Sequence, residues 1–341
     1  MFFASDNASP VPPQVMAALA EANQGYAMPY GNDPIMARVR ARIRAIFEAP
    51  EAAVYLVATG TAANSLSLAI ACPPWGAVFC HRQAHIEADE CGAPEFYTGG
   101  AKLVLVDGAE GRMTPGALAA AIARTGGSVH GVQRGAVSIT NATEAGTVYA
   151  PAAVAALTAA AGGLPCHMDG ARFANALVAS GATPAEMTWR AGIDILSFGG
   201  TKNGLLGVEA VVIFDPAKAW EFELRRKRAG HLFSKHRYLS AQMLAYLSDD
   251  LWLTLARDAN AMAQRMAAGL AAAGVTCDHP VEANILFPRL PRAAHDRLHA
   301  AGAAYYPMEA LTDDRPALAR LVCSWSTTEA EVDAFLALVS G

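Results

Sequence analysis

A chain of 341 residues with 53% hydrophobic content can bury one large core and a smaller one. Its formal net charge of −5 excludes a general attraction to nucleic acid or to an anionic membrane, and no apolar run approaches the roughly 18 residues of a membrane span. A small-molecule partner is expected instead. Six cysteines (Cys72, Cys80, Cys91, Cys166, Cys277, Cys323) are scattered without a Cys-x-x-Cys pair, and the opening Met1-Phe2-Phe3-Ala4-Ser5-Asp6 lacks the basic region of a secretory signal. Reduced thiols and a cytoplasmic location are therefore expected.

Along the chain, short apolar runs alternate with alanine-rich helical stretches. Val54–Val57, Ala77–Cys80, Leu103–Val106, Val137–Ile139, Cys166–Met168, Ile193–Phe198 and Ala210–Phe214 read as strands, with helical patterns such as Pro115–Arg124 and Pro151–Ala161 between them. This alternation predicts an α/β fold with a mostly parallel sheet between helices, and ligands beyond the carboxyl ends of its strands. After residue 215 a long basic helical stretch leads through Trp252–Ala273. Asn284–Phe287, Leu321–Ser324 and Glu329–Val339 then read as a small C-terminal α+β unit. The expected division is 1–245, a large cofactor-binding domain including the N-terminal segment, and 246–341.

Ser197-Phe198-Gly199-Gly200-Thr201-Lys202-Asn203-Gly204 places one lysine in a glycine-rich turn behind a buried strand. Packing gives little reason for a lysine there; a Schiff base with a cofactor aldehyde gives a good one. A solvent-facing loop lysine is the bland alternative, so other positions must decide. Ala58-Thr59-Gly60-Thr61-Ala62-Ala63-Asn64 follows a strand and opens a helix, a seat for phosphate at Gly60 and Thr61, although Gly-Thr is also common capping chemistry. His167-Met168-Asp169-Gly170-Ala171-Arg172 ends another strand. Asp169 can pair with a protonated pyridine nitrogen, and Arg172 can hold a carboxylate or a phenolic oxygen. The bland alternative is a plain Asp–Arg surface pair, which adds little to stability. His85 can stack on a flat ring or act as a base, where a lone histidine is more often structural. The basic run Arg225-Arg226-Lys227-Arg228 … Lys235-His236-Arg237 reads as a solvated face or as an intersubunit surface that completes phosphate binding. These are the requirements of a pyridoxal 5'-phosphate site.

Together these residues resemble the threonine aldolase family, within the fold-type I pyridoxal-phosphate enzymes, nearly end to end. Ser5-Asp6 is similar to the family's opening Ser-Asp, Tyr30-Gly31-Asn32-Asp33-Pro34 to its Tyr-Gly-x-Asp-Pro, and Thr59–Asn64 to its phosphate loop. His85 takes the place of the ring-stacking histidine, and His130, eight residues before Ser138, that of the second active-site histidine. Asp169-Gly170-Ala171-Arg172 is the strongest local match, and Arg320-Leu321-Val322 resembles the C-terminal arginine motif. The chain departs from the pattern at Thr201-Lys202-Asn203-Gly204, where Ser-Lys-Gly is frequent, and at Thr140-Asn141, where Glu-Asn is frequent. The family's phosphate-binding residue from a neighbouring subunit corresponds to Lys235 or Arg237.

The resemblance implies a lyase that cleaves L-threonine, L-allo-threonine and related β-hydroxy-α-amino acids to glycine and an aldehyde. Lys202 would carry the cofactor, and Asp169 would keep its ring nitrogen protonated. Arg172, Arg320 and Ser5 would clamp the substrate carboxylate, with Tyr30 also at the substrate. His85 would mainly stack and His130 mainly take the β-hydroxyl proton. A homotetramer with shared active sites is implied as well. The nearest rival is a β-eliminating lyase, racemase or aminotransferase on the same fold. A binding protein that lost turnover would not have kept Lys202, Asp169, Arg172 and His85 together. No Gly-x-Gly-x-x-Gly follows the first strand, and no metal-ligand cluster of convincing spacing is present.

Overall fold

The apolar runs form a seven-stranded sheet in the computed structural model, which describes residues 1–311 and 315–341. Its strands are β1 (Ala53–Val57), β2 (Gly76–His81), β3 (Lys102–Val106), β4 (Gln133–Thr140), β5 (Cys166–Gly170), β6 (Ile195–Phe198) and β7 (Glu209–Ile213). The spatial order is β1-β7-β6-β5-β4-β2-β3. Only β7 runs antiparallel to its neighbours; the other pairs in this sheet are parallel. β1, β2, β5, β6 and β7 are buried along their whole length, which is why they read as apolar runs in the sequence, whereas β3 at the sheet edge is only partly covered. β4 starts earlier than its apolar core, because Gln133 and Arg134 extend the ladder without contributing to the hydrophobic pattern.

The basic stretch is two helices, Ala219–Arg228 and Arg237–Leu247, rather than one. Gly230 stops the first in the left-handed region at φ 78°, a conformation that favours glycine. Between β5 and β6 the chain makes Phe173–Ser180 and the short Pro184–Met187.

A second, antiparallel sheet comprises β8 (Ile285–Leu286), β9 (Arg289–Leu290), β10 (Tyr306–Pro307) and β11 (Ala317–Val322). The helix Glu329–Ser340 covers it and begins with a capping box, Thr328 and Glu331 each accepting from the other's N–H. The N-terminal segment, expected with the large domain, is built into this smaller core. The Val322 N–H donates to the Phe3 carbonyl (2.8 Å), and the Phe3 ring meets Phe335 edge-on at 5.2 Å. Burying one phenylalanine there is worth about 2–3 kcal/mol and ties the start of the chain to its end. The helix Leu251–Ala272 serves both cores, with Trp252, Leu255 and Ala256 in the larger and Ala263, Met266 and Leu270 in the smaller. Among the described residues no helix is long and apolar enough to cross a membrane.

Candidate active site

The carboxyl ends of β1, β2, β4, β5 and β6 point the same way, and the loops leaving β2, β4, β5 and β6 meet the second sheet. There a cavity of about 580 Å³ is lined by Ser5, His85, Glu144, Arg172, Lys202 and Arg320, among others. Five of these six were expected at a site from sequence. They come from the N-terminal segment, three strand ends and β11, so the cavity exists only once both units are folded.

Lys202 lies in a single turn, Thr201–Asn203, that is clamped on both sides. Glu209, buried at the start of β7, accepts from the Gly200 N–H at 2.6 Å. Asn203 donates to the Tyr246 hydroxyl and the Trp252 carbonyl, both at 2.8 Å. A Cβ at position 199 would stand 2.2 Å from the Ala171 carbonyl oxygen, so this close approach admits only glycine. Phe198, immediately ahead of the turn, packs edge-on against Phe173 at 5.8 Å and Trp252 at 5.4 Å. Phe173 follows Arg172, so one aromatic cluster anchors both functional turns.

Asp169 is 2% exposed and accepts from Asn64 Nδ2 at 3.0 Å and from the Ala171 N–H at 3.0 Å. Asn64 also donates to Glu90 at 2.9 Å, and Glu90 accepts from or pairs with His85 Nδ1 at 2.8 Å. The Glu90 hydrogen bond raises the His85 pKa against the opposing effects of burial and of Lys202.

Arg172 is not a surface partner of Asp169. Its Nε and Nη2 donate to the buried Asp6 carboxylate at 2.7 and 3.0 Å, while Asn284 donates to the same carboxylate at 3.1 Å. Burial pushes the Asp6 carboxyl up, but Arg172 outweighs it and holds the pKa below the ordinary 3.8. Nη1 is the donor group of Arg172 left for a ligand. Burial and the nearby Arg172 lower the Arg320 pKa, as befits two guanidinium groups that share one cavity. Two cations beside Ser5 make a carboxylate-binding end.

The helix Gly60–Ala71 opens at the end of β1 with Thr59 as its cap, accepting from the Ala62 N–H at 3.1 Å. The N–H groups of Gly60 and Thr61 precede any intrahelical acceptor, and a Cβ on Gly60 would meet nothing within 4 Å. Open space before two free donors suits a phosphate. With the Asp169 carboxylate buried at a strand end and the Lys202 amine lining the cavity, the donor set fits pyridoxal 5'-phosphate.

Seven expected residues do not line this cavity within one chain: Gly60, Thr61 and Asp169, already placed at their strand ends, and His130, Tyr30, Lys235 and Arg237. His130 lies on an exposed loop before the amino end of β4. Eight strand residues at about 3.3 Å each put it some 26 Å from the end that builds the site, so its assignment as the second catalytic histidine is corrected. Glu144, just past the carboxyl end of β4, is the titratable group that the strand does deliver. Tyr30 and Lys235 are exposed, with the Tyr30 N–H on the Ser234 carbonyl at 3.2 Å. Arg237 donates to the Gly25 carbonyl at 2.9 Å. The turn between the two basic helices does approach the phosphate loop, where His231 Nδ1 accepts from the Ala58 N–H at 3.5 Å.

Sequence reasoning missed Glu90, Asn64 and Glu209 as site residues. Asn64 had a signal, being an amide in a helix otherwise made of small and apolar residues, and buried there at 3% exposure. Glu90 and Glu209 had none, because their partners are set by tertiary packing.

The Beta-eliminating lyase family model matches residues 3–291. A low specificity L-threonine aldolase from Pseudomonas aeruginosa is 43% identical over 328 residues, covering 95% of this chain and 93% of the relative. One from a Pseudomonas species is 42% identical over 333 residues, covering 97% and 94%. Among solved structures, Leishmania major threonine aldolase superposes with a TM-score of 0.93 at 30% identity, covering 99% of this chain and 98% of that one. With a lysine turn, a buried carboxylate and a paired-arginine cavity in one place, the chain belongs to the beta-eliminating lyase family and, within it, to the threonine aldolases.

Proposed function

We propose that this chain cleaves L-threonine, L-allo-threonine and related β-hydroxy-α-amino acids to glycine and an aldehyde. The observation that carries the reading is one cavity holding the Lys202 amine, His85 and the Arg172–Arg320 pair. Bound pyridoxal 5'-phosphate supplies the electron sink for the carbon–carbon cleavage. Lys202 would hold that group covalently until an amino acid displaces it. Asp169 would keep its ring nitrogen protonated, and the N–H groups of Gly60 and Thr61 would take its phosphate. Arg172 Nη1, Arg320 and Ser5 would grip the α-carboxylate, which orients the Cα–Cβ bond for cleavage.

The proton of the β-hydroxyl needs an acceptor at the same cavity. His85 Nε2 is the first candidate, since Nδ1 is engaged by Glu90. Glu144 is a second acidic or basic group within the same wall.

The reading includes a homotetramer in which a neighbouring copy's Tyr30, Lys235 or Arg237 completes the phosphate and substrate contacts; the exposure of Tyr30 and Lys235 in one chain supports it. It also includes a cytoplasmic location, supported by six free cysteines. The two units are proposed to meet along Leu251–Ala272, close behind the expected division at 245/246.

The test is aldehyde and glycine release from L-threonine, L-allo-threonine and L-phenylserine, with and without added pyridoxal 5'-phosphate. Stoichiometric, cofactor-dependent release of both products is expected. Ammonia and an oxo acid, or racemised substrate, in place of glycine and aldehyde would overturn the reading.

A further inference from the structure

Glu90 has no role in the chemistry described so far, yet its side chain is fully buried beneath the site. The chain delivers it there by a sharp reversal. The helical turn His85–Ala88 ends, and Cys91 and Gly92 both take positive φ (52° and 71°) before the next helix begins at Ala93. This folds Glu90 back under His85. Its Oε1 then meets His85 Nδ1 at 2.8 Å and Asn64 Nδ2 at 2.9 Å. The other hydrogen on Asn64 Nδ2 points to Asp169 Oδ2 at 3.0 Å. Four side chains thus form one line, His85–Glu90–Asn64–Asp169, with the histidine at the cavity and the cofactor-facing carboxylate at the other end.

The donor inventory decides the protonation of this line. Asn64 Nδ2 is only a donor, so the atoms it meets on Glu90 and Asp169 are acceptors. His85 Nδ1 faces the same Glu90 oxygen that accepts from Asn64. With Glu90 ionised, that oxygen only accepts, so Nδ1 donates and Nε2 is the unprotonated nitrogen of the neutral ring; burial and Asp169 raise the Glu90 pKa, and the bonds from His85 and Asn64 hold it toward the ionised form. Glu90 Oε2 has no partner among the described residues and is sealed from solvent, so the carboxylate's interactions all run through the oxygen that touches His85.

We infer that Glu90 is a positioning residue: it locks His85 as the Nδ1–H tautomer with Nε2 presented to the cavity, and couples that ring through Asn64 to Asp169. The inference rests on the aldolase reading for its purpose, but not for its test. A carboxylate in this place also strengthens His85 as a base. Around the ring, Glu90, Glu144 and Asp169 favour the protonated form, while burial and Lys202 oppose it.

The test uses the full chain with ring-labelled histidine and reads nitrogen chemical shifts without cofactor or substrate, with His85 assigned by loss of its signals in His85→Asn. The wild-type protein at high pH should show a protonated Nδ1 and an unprotonated Nε2 at His85; an Nε2–H ring overturns the inference with no variant needed. In Glu90→Gln, which preserves volume, the His85 titration midpoint should fall by at least about one pH unit, a tenfold loss of proton affinity. In the loaded enzyme the acid limb of kcat/KM should move to lower pH by the same interval, whereas a bracing role alone would lower the whole profile without displacing it. An unchanged midpoint in a folded Glu90→Gln protein overturns the inference. Failure of the aldolase reading would look different: the tautomer and midpoint shift would persist while glycine and aldehyde were absent from the products.

Discussion

Asp6→Asn removes the charge that faces Arg172 and leaves the shape nearly intact. In the native protein Asp6 is 1% exposed and Arg172 3%, and two charge-assisted hydrogen bonds of 2.7 and 3.0 Å join them. An asparagine oxygen can replace one of those bonds, while its amide then confronts either the guanidinium or Asn284, which also donates to Asp6. One lost charge-assisted bond is worth about 1.5–3 kcal/mol, and removing a whole partner from a buried pair costs about 3–5 kcal/mol. We therefore expect a destabilisation of about 3 kcal/mol, read as a lower urea midpoint with unchanged slope at fixed protein concentration. The pH dependence carries a sign. The native Asp6 pKa lies below its ordinary 3.8, so its contribution is fully present above about pH 4 and is lost as pH falls through the native value. The gap between wild type and Asp6→Asn should hold from pH 7 to 5 and shrink only below pH 4. KM for L-threonine should rise about tenfold, since about 1.4 kcal/mol of Arg172 positioning corresponds to that factor. A gap under about 1 kcal/mol, or one already shrinking between pH 7 and 5, would refute the reasoning.

Lys202→Ala should abolish the visible absorbance of the bound cofactor, because no other lysine lines the cavity among the described residues; retention of that band would overturn the site. Gly199→Ala drives a Cβ to 2.2 Å from the Ala171 carbonyl, and the shift this forces should cost about 3 kcal/mol and at least a tenfold loss of cofactor affinity, measured by absorbance titration. His130→Asn should leave kcat/KM within about twofold of the parent in the glycine-release assay, because the side chain is exposed at the opposite edge of the sheet. A tenfold loss there would restore His130 as a catalytic candidate.

The strands, the phosphate-seat helix and the lysine turn were legible because each is local chemistry. Buried parallel strands need continuous apolar runs, and a strand-end turn packed against backbone needs glycine at positions such as Gly199. For the same reason Lys202, Asp169, Arg172 and His85 were expected from their place at or just after strand ends, which is where the structure puts them. His130 failed because a spacing to Ser138 counts residues but not direction; it lies upstream of β4 while the site lies downstream. By itself the sequence determined the sheet, its helices and the chemistry available at its carboxyl edge. Only the tertiary structure decided that Asp6 rather than Asp169 holds Arg172, that Glu90 folds back under His85, and that Phe3 joins the smaller core. The physical reason is that a buried charge takes whichever partner lies within about 3 Å after folding, and residues 166 positions apart carry no shared local pattern to announce that meeting.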